Sequence, residues 1–176
     1  FGVHVTLNAE WKDYRWGPVA GKKQVPGLVD REGCLWQGIP QVLLSASADE
    51  VETEIRAQLD RCRTLGIEPT HLDTHMGTVL AVPAFAERYM KIGIETGVPV
   101  MLPGGHLQHL AADRPLMAPL ARAMGKRLWE AGLPVLDDLH TGGGVRKPEE
   151  KKAQILNFLR TLKPGVTQFI VHCTRT

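Results

Sequence analysis

Gly66, Gly97, Gly132 and Gly165 lie 31, 35 and 33 residues apart, and each follows a stretch of helical periodicity and precedes a short strand-like run. Glycine is the residue that most readily closes a helix in left-handed backbone. A repeat of this length holds one strand and one helix, so the spacing predicts βα units with parallel strands. The pieces between the glycines agree. Ser47-Ala48-Asp49-Glu50 fits a capping box, and Val51, Ile55, Leu59 and Cys62 follow at helical spacing. A second helix is predicted over 83–96. Leu116, Leu120, Met124 and Leu128 mark a third helix. Pro148-Glu149-Glu150 opens a fourth, carrying Ile155, Leu156 and Leu159. Strands are predicted at 1–7, 70–75, 98–102, 133–137 and 166–172.

Such units build either an open doubly wound sheet or a closed barrel. No G-x-G-x-x-G follows a strand, and Gly142-Gly143-Gly144 lacks the Lys-Ser/Thr ending of a phosphate loop, so nucleotide-binding versions lose ground. Five strands in 176 residues fall short of an eight-stranded barrel of about 250 residues. The chain opens and closes on strand-like sequence, so the expectation is a single domain over 1–176 with terminal strands missing at both ends. With 43% hydrophobic residues and a net charge of +2, the composition excludes a disordered chain and a dedicated nucleic-acid binder. No apolar run reaches the roughly 18 residues of a membrane span. Cys34, Cys62 and Cys173 form no C-x-x-C pair, which fits a reducing, cytoplasmic setting.

Parallel strands covered on both faces read as apolar runs, so polar residues inside them point to chemistry. His71, Asp73 and His75 stand at i, i+2 and i+4, on one face of a strand. Imidazoles flanking a carboxylate suit metal binding or proton transfer, the carboxylate fixing an imidazole tautomer. The alternative is a buried hydrogen-bonded cluster with no catalytic part. Taken singly, His4 and His172 read as satisfied core histidines, and Asp137-Asp138 as a helix cap or solvated pair. Together they lie in or at the C-terminal ends of successive strands, where βα barrels build their sites. His106, His109 and His140 fall in loops and read as surface residues. The irregular stretch 9–46 holds Trp11, Trp16 and Trp36. These either staple the loop to the core or, as suggested for Trp16, stack on a ligand.

Gly2-Val3-His4-Val5-Thr6-Leu7 resembles a G-x-H-x-x-L strand, and His71-Leu72-Asp73-Thr74-His75 an H-x-D-x-H signature. Phe169-Ile170-Val171-His172 resembles a late strand ending in histidine. In this order they resemble the YdjC-like carbohydrate deacetylase family, which includes chitooligosaccharide deacetylases and hopanoid-biosynthesis proteins. The resemblance implies a distorted (β/α) barrel that removes acetyl groups from N-acetylated sugars with one divalent metal ion, magnesium or zinc. His4 and His75 match its metal-binding histidines. Its third ligand and base come from an Asp-Asp pair on the strand before Gly2. His172 matches the late histidine expected to act as acid, and Asp73 joins it among the catalytic candidates. His71, Asp137, Asp138 and Trp16 are expected near substrate or behind the ligands. The chain departs from the family pattern at 98–102, where arginine is frequent, and at Cys173, where proline is common. The implied partner is an N-acetylated sugar, with a homodimer left open. Rival readings are a metal-dependent sugar isomerase and a carbohydrate-binding or regulatory barrel without catalysis.

Overall fold

The computed structural model describes residues 1–142 and 147–172, so Gly143, Gly144 and Cys173 lie outside the described residues. It is a mixed α/β fold with parallel strands, and the chain divides into two compact units, Phe1–Met101 and Leu102–Thr176.

In the first unit, β1 (Gly2–Val5) pairs in parallel with β2 (His71–Thr74), His4 opposite Asp73. A bridge from Leu72 to Val100 continues the order beyond β2. The run at 98–102 forms no longer ladder. Pro99 has no N–H to donate; its carbonyl accepts the Leu72 amide (2.8 Å), and the Leu72 carbonyl accepts both the Met101 amide (2.7 Å) and the buried Tyr89 hydroxyl (2.6 Å). Two helices back the strands, α2 (Ala48–Thr64) and α3 (Pro83–Thr96). The short α1 (Ile39–Ser45) lies inside the stretch expected to be irregular. The predicted capping box forms: the Glu50 amide donates to Ser47 Oγ and the Ser47 amide to the Glu50 carboxylate. Val51, Ile55 and Leu59 are buried as their spacing requires. Gln58 ties α2 to the strand end, accepting from the Thr6 amide (3.0 Å) and donating to its carbonyl (2.7 Å). Glu52 of α2 meets Arg88 and Lys91 of α3 as well as its own Arg56, and Arg56 reaches Glu95.

In the second unit, β3 (Asp138–Thr141) pairs in parallel with β4 (Thr167–Ile170), with α4 (Gln108–Asp113), α5 (Ala118–Glu130) and α6 (Pro148–Arg160). The strand expected to end at Asp137 instead begins at Asp138, after a parallel bridge between Leu136 and Pro103. The α5 stripe also differs. Leu116 is exposed and Leu120 largely so, while Ala118, Ala121, Met124, Gly125 and Leu128 are buried. Small residues are required there because the Gly104 backbone approaches closely: a Cβ on Gly125 would lie 2.5 Å from Gly104 Cα. On α6 it is Phe158 that is buried, while Leu156 and Leu159 are exposed. All four stop glycines have positive φ, from 67° at Gly97 to 132° at Gly165. Among the described residues, no helix is long and apolar enough to cross a membrane.

Candidate active site

Parallel register places His4 and Asp73 side by side on one face of the β1–β2 pair, while Val5, Leu72 and Thr74 are buried. Asp73 Oδ1 is 2.7 Å from His4 Nδ1. His75 lies one residue beyond β2, in a bend whose amide donates to the Val5 carbonyl (2.9 Å). Its Nδ1 is 3.3 Å from His4 Nε2, and the two rings are nearly perpendicular. Glu10 Oε2 lies 2.9 Å from His75 Nε2. The result is a chain Asp73–His4–His75–Glu10, open to solvent at His4 and largely enclosed at His75, whose side chain is 18% exposed.

The turn after His75 is built for one conformation. Met76 has φ 55°, left-handed backbone that costs a residue with a Cβ roughly 1–2 kcal/mol. Asn8, fully buried, holds that turn: its amide donates to Met76 Sδ (2.9 Å) and its Oδ1 accepts the Thr78 hydroxyl (2.7 Å). Strain of this kind persists only where its surroundings over-determine it.

Electrostatics follow from the contacts. The hydrogen bond that His4 donates to Asp73 raises the His4 pKa against the opposing effect of burial, with further help from the charges of Asp73 and Glu10. Burial pushes the Glu10 carboxyl up. Its own backbone amide, the His75 hydrogen bond and the neighbouring imidazoles outweigh that and leave it below the usual range.

Both imidazoles thus offer one nitrogen to a carboxylate and turn the other toward its neighbour. An ionised carboxylate only accepts, so neutral His4 carries its hydrogen on Nδ1 and neutral His75 on Nε2. The facing nitrogens, His4 Nε2 and His75 Nδ1, then both present lone pairs, a donor set that suits a cation. Two imidazole nitrogens sharing one ion at about 2.1 Å each stand roughly 3.0–3.4 Å apart for octahedral to tetrahedral angles. The observed separation of 3.3 Å falls in that interval. Among the described residues, no group of three His, Cys, Asp or Glu side chains is arranged to hold a metal ion, so the fit is to two ligands of a larger set.

The other sequence candidates are placed elsewhere. His71 shares the face of Asp73 but sits over Gly2 at the opposite end of the strand, its ring beside the Thr70 hydroxyl. Trp16 lines a cavity of about 350 Å³ with Val3, Thr6, Glu54 and Gln58, and neither His4 nor His75 lines it. Trp36 is a staple, its indole N–H donating to the Gly27 carbonyl (2.9 Å). Asp137 and Asp138 belong to the second unit and serve its backbone. Asp137 accepts from the Val166 amide (2.7 Å). Asp138, fully buried, accepts from the amides of His109, Leu110 and Leu139 and faces the His109 ring at 2.8 Å. Burial raises its pKa, and those hydrogen bonds more than reverse the effect. His106, His109 and His140, expected on the surface, are each largely enclosed. His140 pairs with Asp113 and stacks on Phe158 and Phe169. His172 lies two residues past β4 and is exposed.

Glu10 is the site residue that the sequence reading missed. Its signal is the alternation of apolar Val3, Val5, Leu7 and Ala9 with polar His4, Thr6, Asn8 and Glu10, which continues beyond the strand as first bounded.

The family model described as YdjC-like protein matches residues 1–176. A carbohydrate deacetylase of Thermus thermophilus is 31% identical over 171 residues, covering 97% of this chain and 60% of the relative. A carbohydrate deacetylase of Thermoanaerobacter pseudethanolicus is 27% identical over 175 residues, covering 98% and 58%. The chain therefore spans about three-fifths of the length of these curated relatives. Among solved structures, a protein described as a cellobiose-phosphate cleavage protein, from Enterococcus faecalis V583, superposes with a TM-score of 0.70 at 20% identity. That match covers 96% of this chain and 57% of the other.

Proposed function

The chain belongs to the YdjC-like protein family, and on that footing we propose that it is part of a metal-dependent hydrolase that removes an acetyl group from an N-acetylated sugar or oligosaccharide. The observation that carries this reading is the pair of imidazole nitrogens turned toward each other at 3.3 Å, each ring braced from behind by a carboxylate. His4 Nε2 and His75 Nδ1 are the two ligands this chain offers. A divalent ion, magnesium or zinc, supplies Lewis acidity to water and to the acetyl carbonyl when bound. The donor set of two imidazoles and a carboxylate suits zinc better than magnesium, which prefers oxygen. In the family pattern the third ligand and the base are an Asp-Asp pair on the strand preceding Gly2, within a distorted (β/α) barrel.

The chain's own residues have separate tasks. Asp73, a catalytic candidate from sequence, holds the His4 ring by its Nδ1–H, which makes it a positioning residue. His172 is the proposed acid: the leaving sugar amine must gain a proton as the C–N bond breaks, and an imidazole titrates in the suitable range.

The test is acetate release by the full-length protein from short N-acetylglucosamine oligomers. A chelator should abolish release and added zinc or magnesium should restore it. His4→Ala and His75→Ala should each lose bound metal and activity together. Activity that persists in excess chelator would overturn the metal reading. Sugar binding without acetate release would point to a binding protein instead.

A further inference from the structure

The chain of contacts around His75 assigns a task to Glu10 that rests on the metal reading above. We propose that Glu10 is a positioning residue which keeps His75 Nδ1 free of its proton, and so open as a ligand nitrogen.

His75 has little of its own to fix it. It lies outside β2, and among the described residues its ring makes two polar contacts, to Glu10 and to His4. Asp73 already dictates the state of His4, taking its Nδ1–H and leaving Nε2 as an acceptor directed at His75. An acceptor 3.3 Å away invites a donor. Without Glu10, the lowest-energy neutral arrangement moves the His75 proton to Nδ1 and donates it to His4 Nε2. That single N–H···N bond would occupy both ligand nitrogens. With Glu10 in place, Oε2 at 2.9 Å from Nε2 makes a charge-assisted bond, stronger than one between neutral groups, and draws the proton to the far side of the ring.

Glu10 is well placed to hold this position. Leu7, Asn8 and Ala9 before it are fully buried, and the Ala9 amide donates to the Trp36 carbonyl at 2.8 Å. The same segment supplies Asn8, which fixes the turn that carries His75. One buried run thus sets both the backbone and the tautomer of His75.

The experiment uses full-length protein, metal-free, with ¹⁵N-labelled histidine, at alkaline pH where the imidazoles are neutral. In the parent protein, His75 Nε2 should resonate as a protonated nitrogen and Nδ1 as an unprotonated one. In Glu10→Ala the assignment should reverse, and zinc affinity measured by calorimetry should fall about 10- to 100-fold, the usual cost of losing a ligand's outer partner. Glu10→Gln keeps an acceptor oxygen and should lie between the two. A parent His75 protonated on Nδ1 overturns the proposal. So does a Glu10→Ala variant with unchanged tautomer and affinity. If the tautomer responds but neither zinc nor magnesium binds the parent, the Glu10 assignment stands and the metal reading falls.

Discussion

Replacing Asn8 with alanine should loosen the turn that carries His75. Asn8 is fully buried and bonds Thr78 Oγ1 at 2.7 Å and Met76 Sδ at 2.9 Å. The hydroxyl bond is worth about 1 kcal/mol net, and the contact to sulfur, a weak acceptor, adds little. The space left by a truncated buried side chain costs about 1 kcal/mol more. Thr78 is not orphaned, because its hydroxyl can still donate to the His75 carbonyl at 3.3 Å. The expected loss is therefore about 2 kcal/mol. At this chain length that lowers the melting temperature by roughly 4–8 °C.

Denaturant titration of Asn8→Ala, Thr78→Val and the double variant separates the bond from the cavity. Thr78→Val leaves the Asn8 carbonyl oxygen buried without that partner and should cost about 1–3 kcal/mol. The cycle should show a coupling of about 1 kcal/mol. Because the left-handed Met76 turn is held in part by Asn8, Asn8→Ala should also weaken zinc binding, although the Asn8 bonds run to Met76 and Thr78 and not to an imidazole ring. A loss below about 0.5 kcal/mol, with no coupling, would refute the claim that Asn8 holds this turn.

Glu52 is held down to about 2 by its hydrogen bond to Lys91, then by Arg56, against the effect of burial. Its folded pKa lies below the unfolded value, so its stabilisation is present above about pH 4.5 and is lost as pH falls toward 2. After allowance for solvent screening of its partly exposed partners this amounts to about 1–2 kcal/mol. Glu52→Gln should flatten that part of the stability profile, and an unchanged slope would exclude the role. Gly125→Ala sets a Cβ against the Gly104 backbone, and should destabilise by about 1–3 kcal/mol despite the better helix propensity of alanine. A stabilised variant in the same denaturant assay would show that α5 does not rest on that backbone. His172→Ala should lower kcat by about 10²- to 10⁴-fold with metal content unchanged. Metal loss, measured by elemental analysis, would make His172 a ligand instead.

Local rules carried the sequence reading where one residue decides the outcome. The capping box at Ser47 and the left-handed glycines that close helices at Gly66, Gly97 and Gly132 are of this kind, whereas α6 already ends at Arg160, before Gly165. Rules that assume an element's extent fared less well. The i, i+2, i+4 spacing puts His71, Asp73 and His75 on one face only if the strand runs through residue 75. It ends at Thr74, yet His75 keeps to that side, its ring 3.3 Å from His4, the partner of Asp73, and 2.9 Å from Glu10. On α5 the apolar spacing found Met124 and Leu128, which are buried, but not the rest of that face, because the close contact there is backbone against backbone, at Gly125 and Gly104, and glycine carries no hydrophobic signal. Asp138 and His109 are 29 residues apart and meet through tertiary packing, so no local spacing connects them.

Glu10 falls between these cases. Its neighbours alternate in polarity from Val3 onward, so the side shared by His4 and Glu10 was legible. What alternation cannot supply is the partner. Glu10 acquires its meaning from His75, which is brought opposite by the pairing of β1 with β2 and by a turn that Asn8, two residues earlier, bonds at Met76 and Thr78. A motif that stops at His75 therefore contains one proposed ligand, His75, and only one of the two carboxylates that orient the pair. The second lies on the other strand's extension, six residues after His4. If the facing lone pairs are what a cation requires, the segment from His4 to Glu10 and the one from Asp73 to Thr78 form a single unit of sequence. Substitutions at Asn8 or Glu10 should then affect metal binding as surely as those within the H-x-D-x-H signature.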